Sequence, residues 1–187
     1  MPARPLAGGE GGLMNVESGG RPAYRIDGQI ASREAFYAAA CDPRRSVTVE
    51  ACAGAGKTWM LVSRILRALL DGCEPQEILA ITFTRKAAGE MRVRLYEWLS
   101  AFAAWRSSDA EREIELRARG LGEADARALA PALGHLYEKV LESGRRVEIR
   151  TFHAWFAQLL RAAPLELLAP LGLHADMEVL DDLAEHR

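Results

Sequence analysis

At 187 residues, with 49% apolar and 27% charged positions, the chain is long enough to bury a core and has the composition of an ordinary folded protein. A formal net charge of −2 excludes bulk electrostatic attraction to nucleic acid, so any such contact must come from a local basic patch. Cys41, Cys52 and Cys73 show no metal-ligand spacing and their odd number argues against a disulfide framework, and no apolar run reaches the length of a membrane span or a signal-peptide core, so no membrane partner and a cytoplasmic location are expected.

Residues 1–22 are rich in glycine and poor in apolar side chains, and read as a disordered lead-in to a folded stretch over 23–187. Tyr24 to Gln29 carries no decisive pattern. Ser32 is a good N-cap for a helix from Arg33 to Cys41, which ends before Asp42-Pro43. Val47-Thr48-Val49-Glu50 reads as the first strand.

Small residues follow, Ala51, Cys52, Ala53, Gly54, Ala55 and Gly56, and then Lys57-Thr58 opens a helix. Strand, small-residue loop and helix in that order form the phosphate-binding loop of P-loop NTPases. A polyphosphate needs several backbone N–H groups converging on it, and a chain approaches that closely only where side chains are tiny or absent. Lys57 is expected to set a point charge on the β- and γ-phosphates, Thr58 to ligate Mg²⁺ through its hydroxyl, and the helix to add its N-terminal dipole. Ala51 stands where the strict pattern has glycine, which is acceptable for a residue that ends a strand and needs no positive φ. The competing reading is a plain turn without a ligand; the flanking strand and helix favour nucleotide.

From Lys57 to Asp71, Leu61, Val62, Ile65, Leu66 and Leu69 make one apolar stripe at helical period, with Gly72 as the stop. Pro75 marks a loop, and the unbroken run Ile78-Leu79-Ala80-Ile81 reads as a strand buried on both faces of a parallel sheet. Strand, helix and strand give a right-handed βαβ unit. Thr82-Phe83-Thr84-Arg85-Lys86 then leads into a helix with Met91, Leu95 and Trp98/Leu99 on one face. Residues 107–141 read as two or three amphipathic helices, with Gly120-Leu121-Gly122 and Pro131 as breakers, inserted between sheet strands at about 103–144. Val147, Ile149 and Thr151 alternate into a third strand, and Phe152, Trp155, Phe156, Leu159 and Leu160 form the apolar face of a helix that stops before Pro164. A Leu-rich stretch to Leu173 and an acidic end complete the chain.

In α/β sheets ligands bind at the loops leaving the C-terminal ends of strands. Two such loops carry the same mixture: Phe83, Thr84, Arg85 and Lys86 in one, Thr151, Phe152 and His153 in the other. Hydroxyls suit phosphate and sugar oxygens, aromatic rings stack on unpaired bases, and the first loop adds cations, which Arg92 and Arg94 extend. This is the equipment for single-stranded nucleic acid, where stacking supplies roughly 1–3 kcal/mol per base. Each loop alone also reads as a core aromatic capping a sheet, a hydrogen-bonded histidine, or a solvated helix start. Finding both beside a phosphate loop favours the functional reading.

Ala51 to Thr58, Ile81 to Arg92 and Thr151 to Phe156, in that order, resemble motifs I, Ia and Ic of superfamily 1 helicases of the UvrD/Rep-like branch. Val49-Glu50-Ala51 and the long helical insertion lean toward the RecB/AddA-type exonuclease-helicases of that branch. The resemblance covers roughly residues 30 to 185. It implies an α/β fold, a RecA-like parallel sheet flanked by helices, with 23–187 as the N-terminal part of an incomplete motor domain. It implies ATP and Mg²⁺ at Lys57 and Thr58, single-stranded DNA at Phe83, Thr84, Lys86, Thr151, Phe152 and His153, and 3′-to-5′ helicase action in repair or recombination. A second helicase–nuclease subunit is the partner it suggests.

The family's upstream adenine-reading Gln has only Gln29 as a counterpart, farther from Lys57 than is usual. Met177 to Asp182 imitates a Walker B strand, but only two apolar residues precede the acids, so it reads as a helix-leading segment. Without the later motifs these residues are expected to hold nucleotide weakly and to hydrolyse it negligibly alone. A small P-loop kinase and a non-catalytic DNA-binding remnant are the alternatives.

Overall fold

A computed structural model describes residues 24–52, 54–104 and 108–173; the expectations for the 1–22 lead-in and for Met177 to Asp182 fall outside them. The described residues begin with a short antiparallel hairpin, β1 (Arg25–Ile26) and β2 (Gln29–Ile30), closed by Asp27-Gly28 with both residues at positive φ. Asp-Gly between two strands is the signature of a tight hairpin turn, and it is the pattern that Tyr24 to Gln29 carries after all. Helix α1 (Arg33–Ala40) follows, and the Ser32 hydroxyl oxygen accepts the Ala35 amide at 3.1 Å as expected of its N-cap.

Helix α2 (Lys57–Leu70) buries Val62, Ile65, Leu66 and Leu69 of the expected stripe but leaves its first member, Leu61, exposed, with Asp71 as the C-cap. That face packs with Ala88, Met91, Leu95, Leu99 and Phe102 of α3 (Arg85–Ala103) and with Leu133, Leu136 and Val140 of α5 (Glu123–Glu142). Between α3 and α5 lies α4 (Asp109–Ala118), capped by a reciprocal Ser108–Glu111 box, which adds Leu116 to the same core. Pro131 does not break α5, contrary to expectation. It is exposed while Ala130 and Leu133 beside it are buried, so tertiary packing holds the helix through the missing N–H.

The sheet is smaller than expected. β3 (Leu79–Thr82) and β4 (Glu148–Thr151) pair in parallel, Leu79 opposite Glu148 through Thr82 opposite Thr151. Val47 to Glu50 forms no strand, since a strand exists through its ladder and among the described residues no other segment pairs with it. The stretch before it, residues 40–45, is anchored from the side. The Arg64 guanidinium of α2 donates to the carbonyls of Ala40 (3.2 Å), Asp42 (2.5 Å) and Arg45, and Arg44 makes a two-pronged bond to Asp71 at 2.9 and 3.0 Å. Nor is β3 buried on both faces: Leu79 and Ile81 are exposed, while Ala80 packs on the core.

Helix α6 (Phe152–Ala162) departs furthest from its expected packing. Its residues Phe152, Phe156 and Leu159 are about half exposed, and Ala157 alone is buried. The periodicity identified an apolar face correctly; nothing among the described residues covers it. A short helix, α7 (Leu165–Leu168), and a 3-10 turn over Ala169–Leu171 follow.

Candidate functional site

The loop before α2 has the backbone a phosphate cradle needs. Gly54 and Gly56 sit at φ +78° and +80°, a region that L side chains rarely adopt, and nothing lies within 4 Å of where a Cβ on either would stand. The Ala55 amide closes a turn on the Cys52 carbonyl at 3.3 Å, and Gly56 is the N-cap from which α2 departs. Ala51, Cys52 and Ala55 are exposed; Ala53 is outside the described residues. The Lys57 ammonium folds back and donates to the carbonyls of Ala51 (2.7 Å) and Cys52 (2.6 Å). An ammonium carries three donors, so one proton remains for an anion in front of the loop. Thr58, next along and half-buried, stands in the first turn of α2. Open space, glycines at positive φ, a lysine and a helix N-terminus together fit a polyphosphate with its divalent cation.

The second group stands at the C-terminal end of the strand pair. Because Thr82 and Thr151 are register partners at the last step of a parallel ladder, the chains leaving β3 and β4 set out side by side. Each turns at once into a helix. The Thr84 hydroxyl oxygen accepts the Ala87 amide at 3.1 Å, and that of Thr151 accepts the Ala154 amide at 3.2 Å. Both threonines, expected to serve a bound strand, are therefore N-caps that keep an O–H free to donate. Two helix N-termini open at this edge, and each favours an anion.

Phe83 is 91% exposed, which excludes a role as a core aromatic capping the sheet. Phe152 is 47% exposed and lies among rings, parallel to Phe156 within 9° and about 6 Å from His153 and Trp155. Lys86 is exposed, its ammonium 4.0 Å from Glu90 one helical turn on, and Arg85 opens α3 beside it. Arg92 is used differently from the expected extension of the basic patch: it donates to the Ile149 carbonyl at 2.8 Å, binding α3 to β4. No local pattern signals this bond, because the acceptor lies far along the chain. On β4 the Arg150 guanidinium bonds the Glu148 carboxylate and holds its pKa below the usual range. Gln29 sits exposed in β2, paired with Ile26. Among the described residues, no helix is long and apolar enough to cross a membrane.

The chain is 50% identical over 54 residues to DNA helicase II of Escherichia coli K12, covering 28% of this chain and 8% of that protein. It is 44% identical over 54 residues to an ATP-dependent helicase/nuclease protein of Lactobacillus helveticus, covering 29% of this chain and 4% of the relative. With the exonuclease/helicase protein RexA of Lactococcus lactis subsp. cremoris it shares 35% identity over 82 residues, 43% of this chain and 7% of that one. These matches thus span less than a tenth of each curated relative. The family model of the UvrD/REP helicase N-terminal domain matches residues 32–184, and the chain belongs to that family.

Proposed function

We propose that these residues are the ATP- and single-stranded-DNA-binding segment of an ATP-dependent DNA helicase that moves 3′ to 5′ in repair or recombination. Ala51 to Thr58 hold the nucleotide, and Phe83, Thr84, Arg85, Lys86, Thr151, Phe152 and His153 hold the strand. The stretch 103–144 is a helical insertion in the motor domain. In this reading the location is cytoplasmic and the partner is a second helicase–nuclease subunit. Family membership tells against the small-kinase alternative.

One observation carries the nucleic-acid half: the pairing of Thr82 with Thr151, which sets two hydroxyl- and aromatic-bearing helix starts next to each other with Phe83 in solvent. The two N-termini would take successive backbone phosphates and the rings would stack on bases. The nucleotide half follows from the loop geometry. Lys57 holds the β- and γ-phosphates, and Thr58 holds the cation that neutralises developing charge when Mg²⁺–ATP is bound. Neither a water-orienting carboxylate nor an arginine facing the phosphates is assigned among these residues, so turnover by this stretch alone is negligible.

Filter binding with oligo-dT and equilibrium binding of a fluorescent ATP analogue test both halves. Phe83→Ala and Phe152→Ala together should weaken oligo-dT binding by about 2–4 kcal/mol while leaving the analogue bound, and Lys57→Ala should do the reverse. Oligo-dT retention unaffected by loss of both rings refutes the strand assignment. DNA-stimulated ATPase from the 187 residues refutes the negligible turnover.

A further inference from the structure

A cation is buried where the helical insertion meets the start of α2. Arg119, the C-cap of α4, is 1% exposed. Its guanidinium carbon stands 4.3 Å from the centroid of Trp98, 5.2 Å from Trp59 and 5.3 Å from Phe102. Nη1 pairs with the Glu115 carboxylate and also donates to the Glu115 carbonyl at 2.7 Å; Nε is buried without a partner among the described residues. Trp98 and Phe102 belong to α3, but Trp59 is in the first turn of α2, two residues beyond Lys57. The Trp59 ring meets Tyr37 of α1 edge-on at 5.2 Å and Trp98 at 6.0 Å.

Two backbone contacts fix the same corner. Arg67 of α2 donates to the Arg119 carbonyl at 3.4 Å. Gly120, at φ +85°, lies so close to α1 that a Cβ would stand 2.4 Å from the Tyr37 backbone. The end of α4 is therefore seated on α1, α2 and α3 at once. Trp59 also packs against the small cluster of Ala40, Cys41 and Met60, as does Val49 from the segment that leads into the glycine loop.

A buried ion pair is weak evidence for stability, because desolvation offsets its attraction; its attested use is to specify one arrangement among several apolar ones. Here the Glu115 pair lies within α4 itself, and it is the three rings of α2 and α3 and the side-chain-free contact at Gly120 that one placement of α4 satisfies together. A helical turn is stiff, so a shift of Trp59 is a shift of Lys57. We propose that Arg119 is a positioning residue for the phosphate loop: by gripping Trp59 it holds the first turn of α2, and with it Lys57 and Gly56, in the geometry that receives a polyphosphate. The proposal rests on the reading of that loop as a nucleotide site.

The test uses the full chain with the pair replaced by apolar groups of similar volume, Arg119→Met with Glu115→Leu, and separately with Trp59→Leu. Amide exchange is followed without nucleotide at residues 57–61, where Met60 and Leu61 are the amides that bond back into the helix and carry the readout, and, as an internal control, at 133–140 of α5. Each variant should exchange about tenfold faster in the first turn of α2 with α5 unchanged, and should bind a fluorescent ATP analogue about tenfold more weakly. Arg119→Lys should not restore either property, since a compact ammonium on a flexible stem does not present a plane to three rings. Unaltered exchange at 57–61 in both variants overturns the proposal, and so does a uniform rise across α2 and α5, which marks Arg119 as a packing residue only. Should the unsubstituted chain fail to bind the analogue, the nucleotide reading itself fails, and the proposal fails with it whatever exchange shows at 57–61.

Discussion

Two helices with the same kind of sequence meet opposite fates in this molecule. α3 and α6 each follow a β-strand, each start from a threonine cap, and each carries apolar residues at helical spacing. In α3 that face is closed over by α2 and α5, and Leu95 and Leu99 are fully buried. In α6 the corresponding residues look out, Leu159 at 46% exposure. Periodicity is a property of one segment, whereas covering a face needs another segment brought there by the fold. A stripe in a sequence therefore reports that a face is apolar and nothing about what lies on it.

The largest effect that separates the two helices is on stability. Leu95→Ala removes a side chain with no exposed surface and leaves a cavity among α2, α3 and α5, so it should cost about 2–5 kcal/mol in denaturant unfolding. Leu159→Ala, the same chemical change on α6, should stay within about 0.5 kcal/mol. Equal costs would mean that the α6 face is covered in solution.

The division between covered and open runs through the thiols as well. Cys41 is buried beside Met60, and burial pushes its thiol up to about 11, whereas Cys52 stands exposed in the glycine loop. The sign follows from which state holds the proton more tightly. Since the folded pKa lies above the ordinary thiol value of 9.0, the folded chain binds more protons between pH 9 and about 11. Stability from this group is therefore intact below pH 9 and declines as pH rises through that window, by roughly 1–3 kcal/mol in all. Thermal melts of the Cys41→Ala and unsubstituted chains across this range should converge as pH rises. Iodoacetamide at about pH 8 should label the exposed Cys52 and leave the buried Cys41 untouched. A pH-independent difference between the melts would place Cys41 in a wetter site than its burial indicates.

What was legible in the sequence divides along the same line. Features that a few consecutive residues impose on themselves were readable: the Ser32 cap, the glycines at positive φ before Lys57, the α2 stripe and its stop at Gly72, and the two strand-to-helix junctions. Features that need a distant partner were not. Val47 to Glu50 has strand composition but no ladder; Arg92 looks like a surface cation until β4 supplies the Ile149 carbonyl; and Arg119 sits in a charged stretch with nothing nearby to announce a cage of rings from two other helices. The adjacency of the two aromatic loops lies between these cases. Both motifs were visible, but only the register of β3 against β4 brings them together.

The smallest effect is also the sharpest on the comparison between α3 and α6. Thr84 and Thr151 make the same cap bond at nearly the same length, 3.1 and 3.2 Å, so alanine at either position removes the same local interaction, worth about 1 kcal/mol. In α3 the loss should appear as that modest drop in global stability, because Ala88 and Met91 in the first two turns are buried and hold the helix. In α6 no comparable packing among the described residues holds the first turn, so Thr151→Ala should fray it: amides of residues 154–156 should exchange several-fold faster, with the global transition nearly unmoved. Fraying after Thr84→Ala and none after Thr151→Ala would show that burial does not decide which strand-end helix is the mobile one, and that the open face of α6 is stiffer than its exposure suggests.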